Sequence, residues 1–418
     1  MSKVVIIGNG IAGITAARHI RKHSDDEIIV ISAESKYFFS RTALMYVYMG
    51  HMKFEHTQPY ENWFWRKNNI QLIQAYVTKI NPEENMLTLQ SGEIIPYNKL
   101  ILALGSKPRA MPLDGTSLQG VQSLYSKQDL ELMEKNSDGV KQAVVVGGGL
   151  IGIEMAEMLH SRGIHVTLVV REDSYWNMVL PKEESEMVNH HILSRGIDLR
   201  LSRTVDKITG NTHVERITLS DGSLLPCQLL GITIGVQANI GLLQGSKIET
   251  NRGILVDGYL RTNVENIYAI GDCVELRHPQ EGRRAIEPVW YTGRMMGETA
   301  AANICGEPQK YEPGIWFNSA KFVDLEYQTY GIVPSTPTSG YDSYYWQDKK
   351  HERSIRIVYK NDKSICGIIS MGIRLRHELI QEWIETGKTL EYALTHLADI
   401  DFDPEFYQKF EKQIPVNT

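Results

Sequence analysis

The chain has 418 residues, 42% of them hydrophobic, with a formal net charge of −6. That length predicts two or three domains with ample core, and the acidic balance argues against a nucleic-acid partner. No apolar run approaches the roughly 18 residues a membrane helix needs, and the four cysteines (Cys227, Cys273, Cys305, Cys366) have neither metal nor disulfide spacing.

The N-terminus runs straight into a strand, so no signal peptide is expected and a reducing cytoplasm is the expected home. Val4 to Ile7 predicts a buried parallel strand, followed at once by Gly8, Gly10 and Gly13 in G-x-G-x-x-G spacing. One glycine permits the tight turn, one lets the backbone approach a pyrophosphate, and one lets the helix pack on the strand. A helix from Ile11 and Ala12 to about Lys22 aims its positive end at that phosphate. Ile28 to Ile31 gives the next strand, and Glu34 falls just past it, where an acid grips a ribose hydroxyl. The aromatic-rich loop from Ser35 to Leu44 carries Arg41, either a phosphate partner or a solvated cation.

Tyr60 to Lys67 predicts a short packed helix. From Val77 the pattern is a β-meander, split by Asn-Pro and Ser-Gly turns. It closes in the buried strand Leu100 to Leu104, which includes Ala103, and turns at Gly105. Prolines and glycines between 108 and 120 read as a linker.

The arrangement then repeats. Ala143 to Val146 predicts a strand, followed by Gly147, Gly149 and Gly152 in the same spacing, with Leu150 and Ile151 opening the next helix. Val166 to Val170 is the following strand, a second meander spans 205 to 225, and a buried run ends at Gly235. Two copies of one dinucleotide-binding unit imply two nucleotides. His190 and His191 read as the polar flank of a helix, a poor metal geometry because sequence neighbours face different ways.

Two short strands, at 253–257 and Ile267 to Ile270, then return to the first domain. The second runs into Gly271 and Asp272, a carboxylate suited to a polyol hydroxyl or to a helix cap. A long helix from about Val289 to Ile304 follows. Beyond Pro313 the texture is α+β, with a hairpin around Asn361-Asp362-Lys363 and a stripe (Leu375, Leu379, Ile380, Trp383, Ile384) that reads as core or subunit contact, ended by Gly387. The fold class is α/β: two Rossmann-like dinucleotide-binding domains plus an α+β C-terminal domain. The predicted boundaries are 1–112 and 242–312 for the first domain, 113–241 for the second and 313–418 for the third.

These pieces resemble the FAD-dependent pyridine nucleotide-disulfide oxidoreductase superfamily, in its ferredoxin reductase, nitrite reductase and NAD(P)H oxidase-like branch. The matching stretches are Val-Ile-Ile-Gly-Asn-Gly-Ile-Ala-Gly, Leu-Ile-Leu-Ala-Leu-Gly-Ser, Val-Val-Gly-Gly-Gly-Leu-Ile-Gly-Ile-Glu, Ile-Thr-Ile-Gly-Val-Gln-Ala-Asn and Ile-Tyr-Ala-Ile-Gly-Asp-Cys, spread in order over residues 4 to 273. The resemblance implies FAD on the first unit, at Gly8, Gly10, Ile11, Ala12, Gly13, Glu34, Ser35, Arg41, Val77, Ala103, Leu104, Gly105, Gly271 and Asp272. Within that set, Glu34 would hold the adenosine ribose, Arg41 would sit near the phosphates and Asp272 would bind the ribityl chain. It implies NAD(P)H on the second unit, at Gly147, Gly149, Leu150, Ile151, Gly152, Glu154, Arg171 and Gly235, with the nicotinamide meeting the flavin between the domains. Glu154 matches the family's glutamate close to flavin and nicotinamide; otherwise it is an ordinary first-turn helix residue.

Three departures narrow the reaction. No cysteine stands on the first helix or in the loop after Glu34, which argues against dithiol chemistry. Tyr46 stands where ferredoxin reductases carry a lysine, so their lysine–glutamate pair beside the flavin is absent. After the second unit's second strand, Val170 replaces the acid of NADH-preferring members. Arg171 could then bind a 2′-phosphate, or Glu172 could turn inward and select NADH; the balance leans slightly to NADPH. The expected reaction is hydride transfer from NAD(P)H to FAD, then electrons passed to a ferredoxin, a rubredoxin or a small acceptor. A slowly reduced, redox-dependent interaction switch is the alternative. Arg277, Arg283, Arg284 and Arg294 could supply a basic docking face, and the resemblance makes a homodimer through the C-terminal domain plausible.

Overall fold

The structure, a computed structural model, describes residues 2–280, 282–402 and 413–415. The chain divides into two compact units, each assembled from three segments. The first comprises Met1–Ala110, Leu124–Lys135 and Gly235–Pro313; the second comprises Met111–Ser123, Asn136–Ile234 and Gly314–Thr418.

The first unit is built on a five-stranded parallel sheet in the order Ile267–Ala269, Lys99–Leu102, Lys3–Ile7, Glu27–Ser32, Ile70–Gln74. Its central strand reads as a continuous apolar run because both faces are covered: Val4, Val5 and Ile6 are wholly buried. Helix Ile11–His23 packs closely on helix Trp290–Ile304. A Cβ on Gly297 would stand only 2.6 Å from the Ala12 carbonyl oxygen, so the small residues seen in the sequence are a packing requirement. The meander Val77–Asn81, Met86–Leu89, Ile94–Pro96 is antiparallel, as predicted. The late strand Ile267–Ala269 does return to pair with Lys99–Leu102.

The second unit repeats the design with strands ordered Asp198–Arg200, His165–Val169, Gln142–Val146, Leu229–Ile232, Val121–Gln122. It also contains an antiparallel sheet ordered Phe317–Phe322, Leu325–Gly331, Ile365–Met371, Ser354–Lys360, Tyr341–Gln347. Helix His377–Glu385 covers this sheet and buries Ile380 and Trp383, so the tryptophan stripe is core. The helix ends at Thr386, and Gly387 follows with φ +63°, a left-handed position that favours glycine.

The predicted boundaries shift in three places, each for a visible reason. Residues 235–241 join the first unit because Val236–Ala238 pairs with Ser106–Pro108, so part of the supposed linker is a strand. Leu124–Lys135 joins it too, because the Lys127 backbone N–H donates to Glu34 at 2.9 Å. The residues after Pro313 do not cluster as a separate unit. Arg356 on the antiparallel sheet donates to Glu184 at 2.8 and 3.0 Å and to Glu183 at 2.7 Å, and Glu184 is fully buried. Burial alone would raise the Glu184 pKa, and Arg356 opposes that without fully reversing it.

Candidate functional site: two glycine loops and their acids

In the first unit, Gly8 lies at φ +110°, and a Cβ there would fall 2.0 Å from the Ala103 carbonyl oxygen. A Cβ on Gly13 would fall 2.0 Å from the Gly8 carbonyl oxygen, whereas one on Gly10 would meet nothing within 4 Å. Two glycines are thus required by the protein itself, and the third leaves open space at the helix N-terminus beside Ile11 and Ala12. Free backbone N–H groups and the helix dipole suit that space to a pyrophosphate. Asn9 and Ser35 brace its rim, the Asn9 amide donating to the Ser35 carbonyl at 2.8 Å. Val77 is buried in the core beneath, and Gly271 (φ +78°) lets its turn pass close to Ala12.

The acids are arranged by long-range contacts. Arg41 forks onto Glu34 with bonds of 2.9 and 2.6 Å, and also donates to the Tyr125 carbonyl at 2.6 Å. Its guanidinium lies 4.6 Å from the Tyr125 ring centre. Burial works against this cation, and Glu34 outweighs burial, holding the Arg41 pKa above its usual value. Arg41 is therefore half-buried and tied to Glu34, neither a free surface cation nor reserved for a phosphate alone. The Tyr125 hydroxyl accepts the Ser106 N–H at 3.1 Å, and the Ser106 hydroxyl donates to Asp272 Oδ2 at 3.2 Å. Burial raises the Asp272 pKa, opposed by the Ser106 hydrogen bond and the Arg41 charge. Asp272 Oδ1 has no hydrogen-bond partner among the described residues, leaving an acceptor for a ligand hydroxyl. This first site fits FAD: a cradle, a ribose acid and a free acceptor for a polyol.

Tyr125 and Lys127 were missed in the sequence, because they reach Glu34 and Ser106 from a distant segment; Ser106 was seen only as the end of a matching stretch, with no role given to it.

In the second unit, a Cβ on Gly147 would meet the Thr233 carbonyl oxygen at 2.2 Å, and one on Gly152 the Gly147 carbonyl oxygen at 2.3 Å. Gly149 again faces open space. Helix Leu150–Ser161 starts there, with Ile151 in its first turn. The loop is fixed from outside by Tyr175, whose hydroxyl donates to the Gly149 carbonyl at 2.6 Å. Val170 packs against Gly148, 2.7 Å from where a Cβ would be, and Glu172 Oε2 reaches within 3.7 Å of the same point. Arg171 donates to Glu172 at 2.7 Å; its side chain is 75% exposed against 21% for Glu172. The acid thus turns toward the glycine loop, and the cation faces solvent.

Glu154 carries no ion pair or hydrogen bond among the described residues. Burial, with the Glu157 charge, pushes its pKa up to about 7. Gly235 clusters with the first unit, at φ +101°, its carbonyl accepting the Arg109 N–H at 3.0 Å.

Other expectations fail on packing. Arg283 is internal, paired at 2.8 and 2.5 Å with the buried Glu287; Arg277 pairs with Glu249 and Arg294 with Glu298. A basic face of four free arginines does not exist. His191 is buried rather than on a polar flank, bonded to Asp324 at 2.6 Å. All four cysteines are free thiols, and burial raises each pKa, to about 12 for Cys227 and Cys273. No helix among the described residues is long and apolar enough to cross a membrane.

Residues 2–297 match the family model described as pyridine nucleotide-disulphide oxidoreductase. The chain belongs to this family. Its cofactors are FAD and NAD(P)H, and its activity is that of an FAD-dependent NAD(P)H oxidoreductase. The chain is 31% identical over 348 residues to an NADH oxidase of Methanocaldococcus jannaschii, covering 79% of this chain and 76% of that protein. It is 28% identical over 402 residues to a ferredoxin–NAD(P)(+) reductase of a Sphingomonas species, covering 94% and 95%. A nitrite reductase (NAD(P)H) of Bacillus subtilis is 29% identical over 329 residues, and the match covers 78% of this chain but only 40% of that longer protein. Among solved structures, a ferredoxin reductase of Rhodopseudomonas palustris superposes with a TM-score of 0.82 at 26% identity, covering 89% and 91%.

Proposed function

We propose that this protein oxidises NADH and passes the electrons singly to a small redox protein of the ferredoxin type. The observation that carries the reading is the state of the thiols. All four are unpaired and held protonated by burial, so no dithiol stands between the cofactor and the acceptor. The near full-length likeness to a ferredoxin–NAD(P)(+) reductase supports a protein acceptor. Bound FAD supplies the chemistry, taking a hydride from the nicotinamide and giving up electrons one at a time.

The chain's own residues bind and orient. The helix N-terminus at Gly10 and Ile11 holds the pyrophosphate, with Ser35 and Ala103 beside the loop. Glu34, fixed by Arg41 and the Lys127 N–H, accepts from the ribose. Asp272 Oδ1 accepts from the ribityl chain. Gly149, Leu150 and Ile151 receive the second pyrophosphate, and Glu172, turned to that loop, accepts from a ribose 2′-hydroxyl and repels a 2′-phosphate. Arg171, bound to Glu172, is not free to reward NADPH. The preference therefore goes to NADH.

The test is an anaerobic titration of the yellow protein with each nucleotide. We expect bleaching at lower NADH than NADPH concentration, and Glu172→Ala should narrow the gap about tenfold or more, one lost charge-assisted hydrogen bond. A colourless protein that FAD cannot restore overturns the reading. Stronger bleaching by NADPH overturns the coenzyme assignment alone.

A further inference from the structure

One hairpin of the antiparallel sheet is anchored in the second nucleotide fold. Strands Phe317–Phe322 and Leu325–Gly331 are joined through Val323 and Asp324. Asp324 is gripped at 2.6 Å by His191, in the last turn of helix Lys182–Ser194, and at 2.6 and 3.0 Å by Arg195, which follows that helix. Phe322 is fully buried and meets two consecutive rings, Tyr175 edge-on at 6.2 Å and Trp176 at 5.5 Å between centroids. Trp176 also packs edge-on against Tyr327 at 5.4 Å. On both sides of this contact the backbone is left-handed, with φ +58° at Trp176 and +61° at Val323. A bulky or β-branched residue keeps that conformation only where its surroundings impose it. At Trp176 it lets two neighbouring rings face the same phenylalanine.

Tyr175 is braced at its backbone as well. Its N–H donates to Asn189 Oδ1 at 2.9 Å, and its carbonyl accepts the Ser185 hydroxyl at 2.6 Å. Its hydroxyl is committed to the Gly149 carbonyl at 2.6 Å. That carbonyl also receives the Gly152 and Ile153 N–H groups at 3.0 and 3.3 Å. In the first unit the Gly10 carbonyl accepts the Ile14 N–H, and no side chain among the described residues donates to it. The tyrosine is thus an addition peculiar to the second loop.

We propose that Tyr175, held by this hairpin, is a positioning residue for the coenzyme: it fixes the Gly149 carbonyl and thereby aims the Leu150 N–H at the NADH pyrophosphate. This rests on the reading that the Gly149 loop takes that pyrophosphate. In a planar trans peptide the carbonyl and the N–H point in opposite directions, so the direction of one sets the other. Leu150 is the first helical residue, and its N–H has no acceptor among the described residues. A donor on the carbonyl also polarises the peptide and strengthens that N–H as a donor. Burial raises the Tyr175 pKa, so the phenol keeps the proton it donates. The Phe322 ring is the wall that keeps Tyr175 and the left-handed Trp176 in place.

The experiment compares the wild type, Tyr175→Phe and Phe322→Leu, all loaded with FAD. Tyr175→Phe keeps the ring and removes only the donor. The Kd of NADH should rise about tenfold, the effect of one well-made hydrogen bond. The Kd of ADP-ribose, which has the pyrophosphate and no nicotinamide, should rise by the same factor. Flavin bleaching at saturating NADH should keep its rate, and FAD content should not change. Amide exchange at Leu150 and Ile151, slowed by ADP-ribose in the wild type, should be slowed less in Tyr175→Phe. Phe322→Leu should show a smaller rise of the same kind. An unchanged Kd for ADP-ribose in Tyr175→Phe overturns the proposal, as does a loss confined to stability. Unchanged affinity in Phe322→Leu overturns the part given to the hairpin. Should either variant fail to load FAD, exchange in the wild type decides, and a Leu150 amide that ADP-ribose leaves unprotected overturns the proposal. A wild type that does not bind ADP-ribose at all overturns the reading of the loop itself, which keeps the two failures apart.

Discussion

The two units share one glycine loop and differ in everything that touches it. At the backbone the copies coincide: added Cβ atoms at Gly8 and Gly147 would strike a carbonyl at 2.0 and 2.2 Å, and at Gly13 and Gly152 at 2.0 and 2.3 Å. Around the first loop every charge is tied down, with Glu34 locked by Arg41 and Lys127. Around the second, Arg171 is exposed and Glu154 is unpaired. The repeated part is what helix-on-strand geometry dictates. The divergent part is the side chains: the first loop has its acid paired, and the second has one acid paired and one unpaired.

The largest test of that contrast sets two arginine–carboxylate forks against each other. Arg356→Met would strand the fully buried Glu184 and should cost about 3–5 kcal/mol by denaturant unfolding. Arg41→Met leaves Glu34, 22% exposed, with the Lys127 N–H and some water, and should cost about 1 kcal/mol while weakening FAD retention. Equal losses would break the distinction between a sealed fork and a ligand-facing one.

Next is the unpaired acid. Glu154 binds its proton more tightly folded than unfolded, so its contribution to stability falls as pH rises from 4.5 to about 7. Glu154→Gln should therefore stabilise the protein above pH 7 by on the order of 3 kcal/mol, and bring no gain below about pH 4.5. Unfolding curves at both ends of that window check the sign. A pH-independent effect would place Glu154 in ordinary solvent.

The smallest effect sharpens the comparison most. Gly10→Ala and Gly149→Ala meet nothing within 4 Å, so each should change stability by less than about 1 kcal/mol. The first should nevertheless lose the yellow colour on dialysis. The second should stay yellow and bind NADH more weakly. Visible spectra and nucleotide titration separate the pair.

What could be read in the sequence was what is local. The two glycine loops, the strand and helix beside each, both meanders and the return of Ile267–Ala269 follow from spacing and apolar runs within a few dozen residues. What could not be read depends on distant partners. Tyr125 is a loop tyrosine until Ser106 and Arg41 fold onto it. Arg283 looks solvated until Glu287 is seen buried beside it, and His191 until Asp324 arrives from more than a hundred positions away. The sequence leaned slightly to Arg171 over Glu172. Only the side-chain directions part them.

The first sheet lacks an edge until Ile267–Ala269 is added beside Lys99–Leu102, whereas the parallel sheet of the second unit is complete at Ile232. A chain emerging from the ribosome can thus close the second nucleotide fold while the first still waits for a strand and for helix Trp290–Ile304. The sheet that begins the protein is closed late, and FAD can be captured only after Ile267–Ala269 and helix Trp290–Ile304 have been made. A truncation before residue 267 should accordingly leave a protein that cannot retain FAD and is colourless.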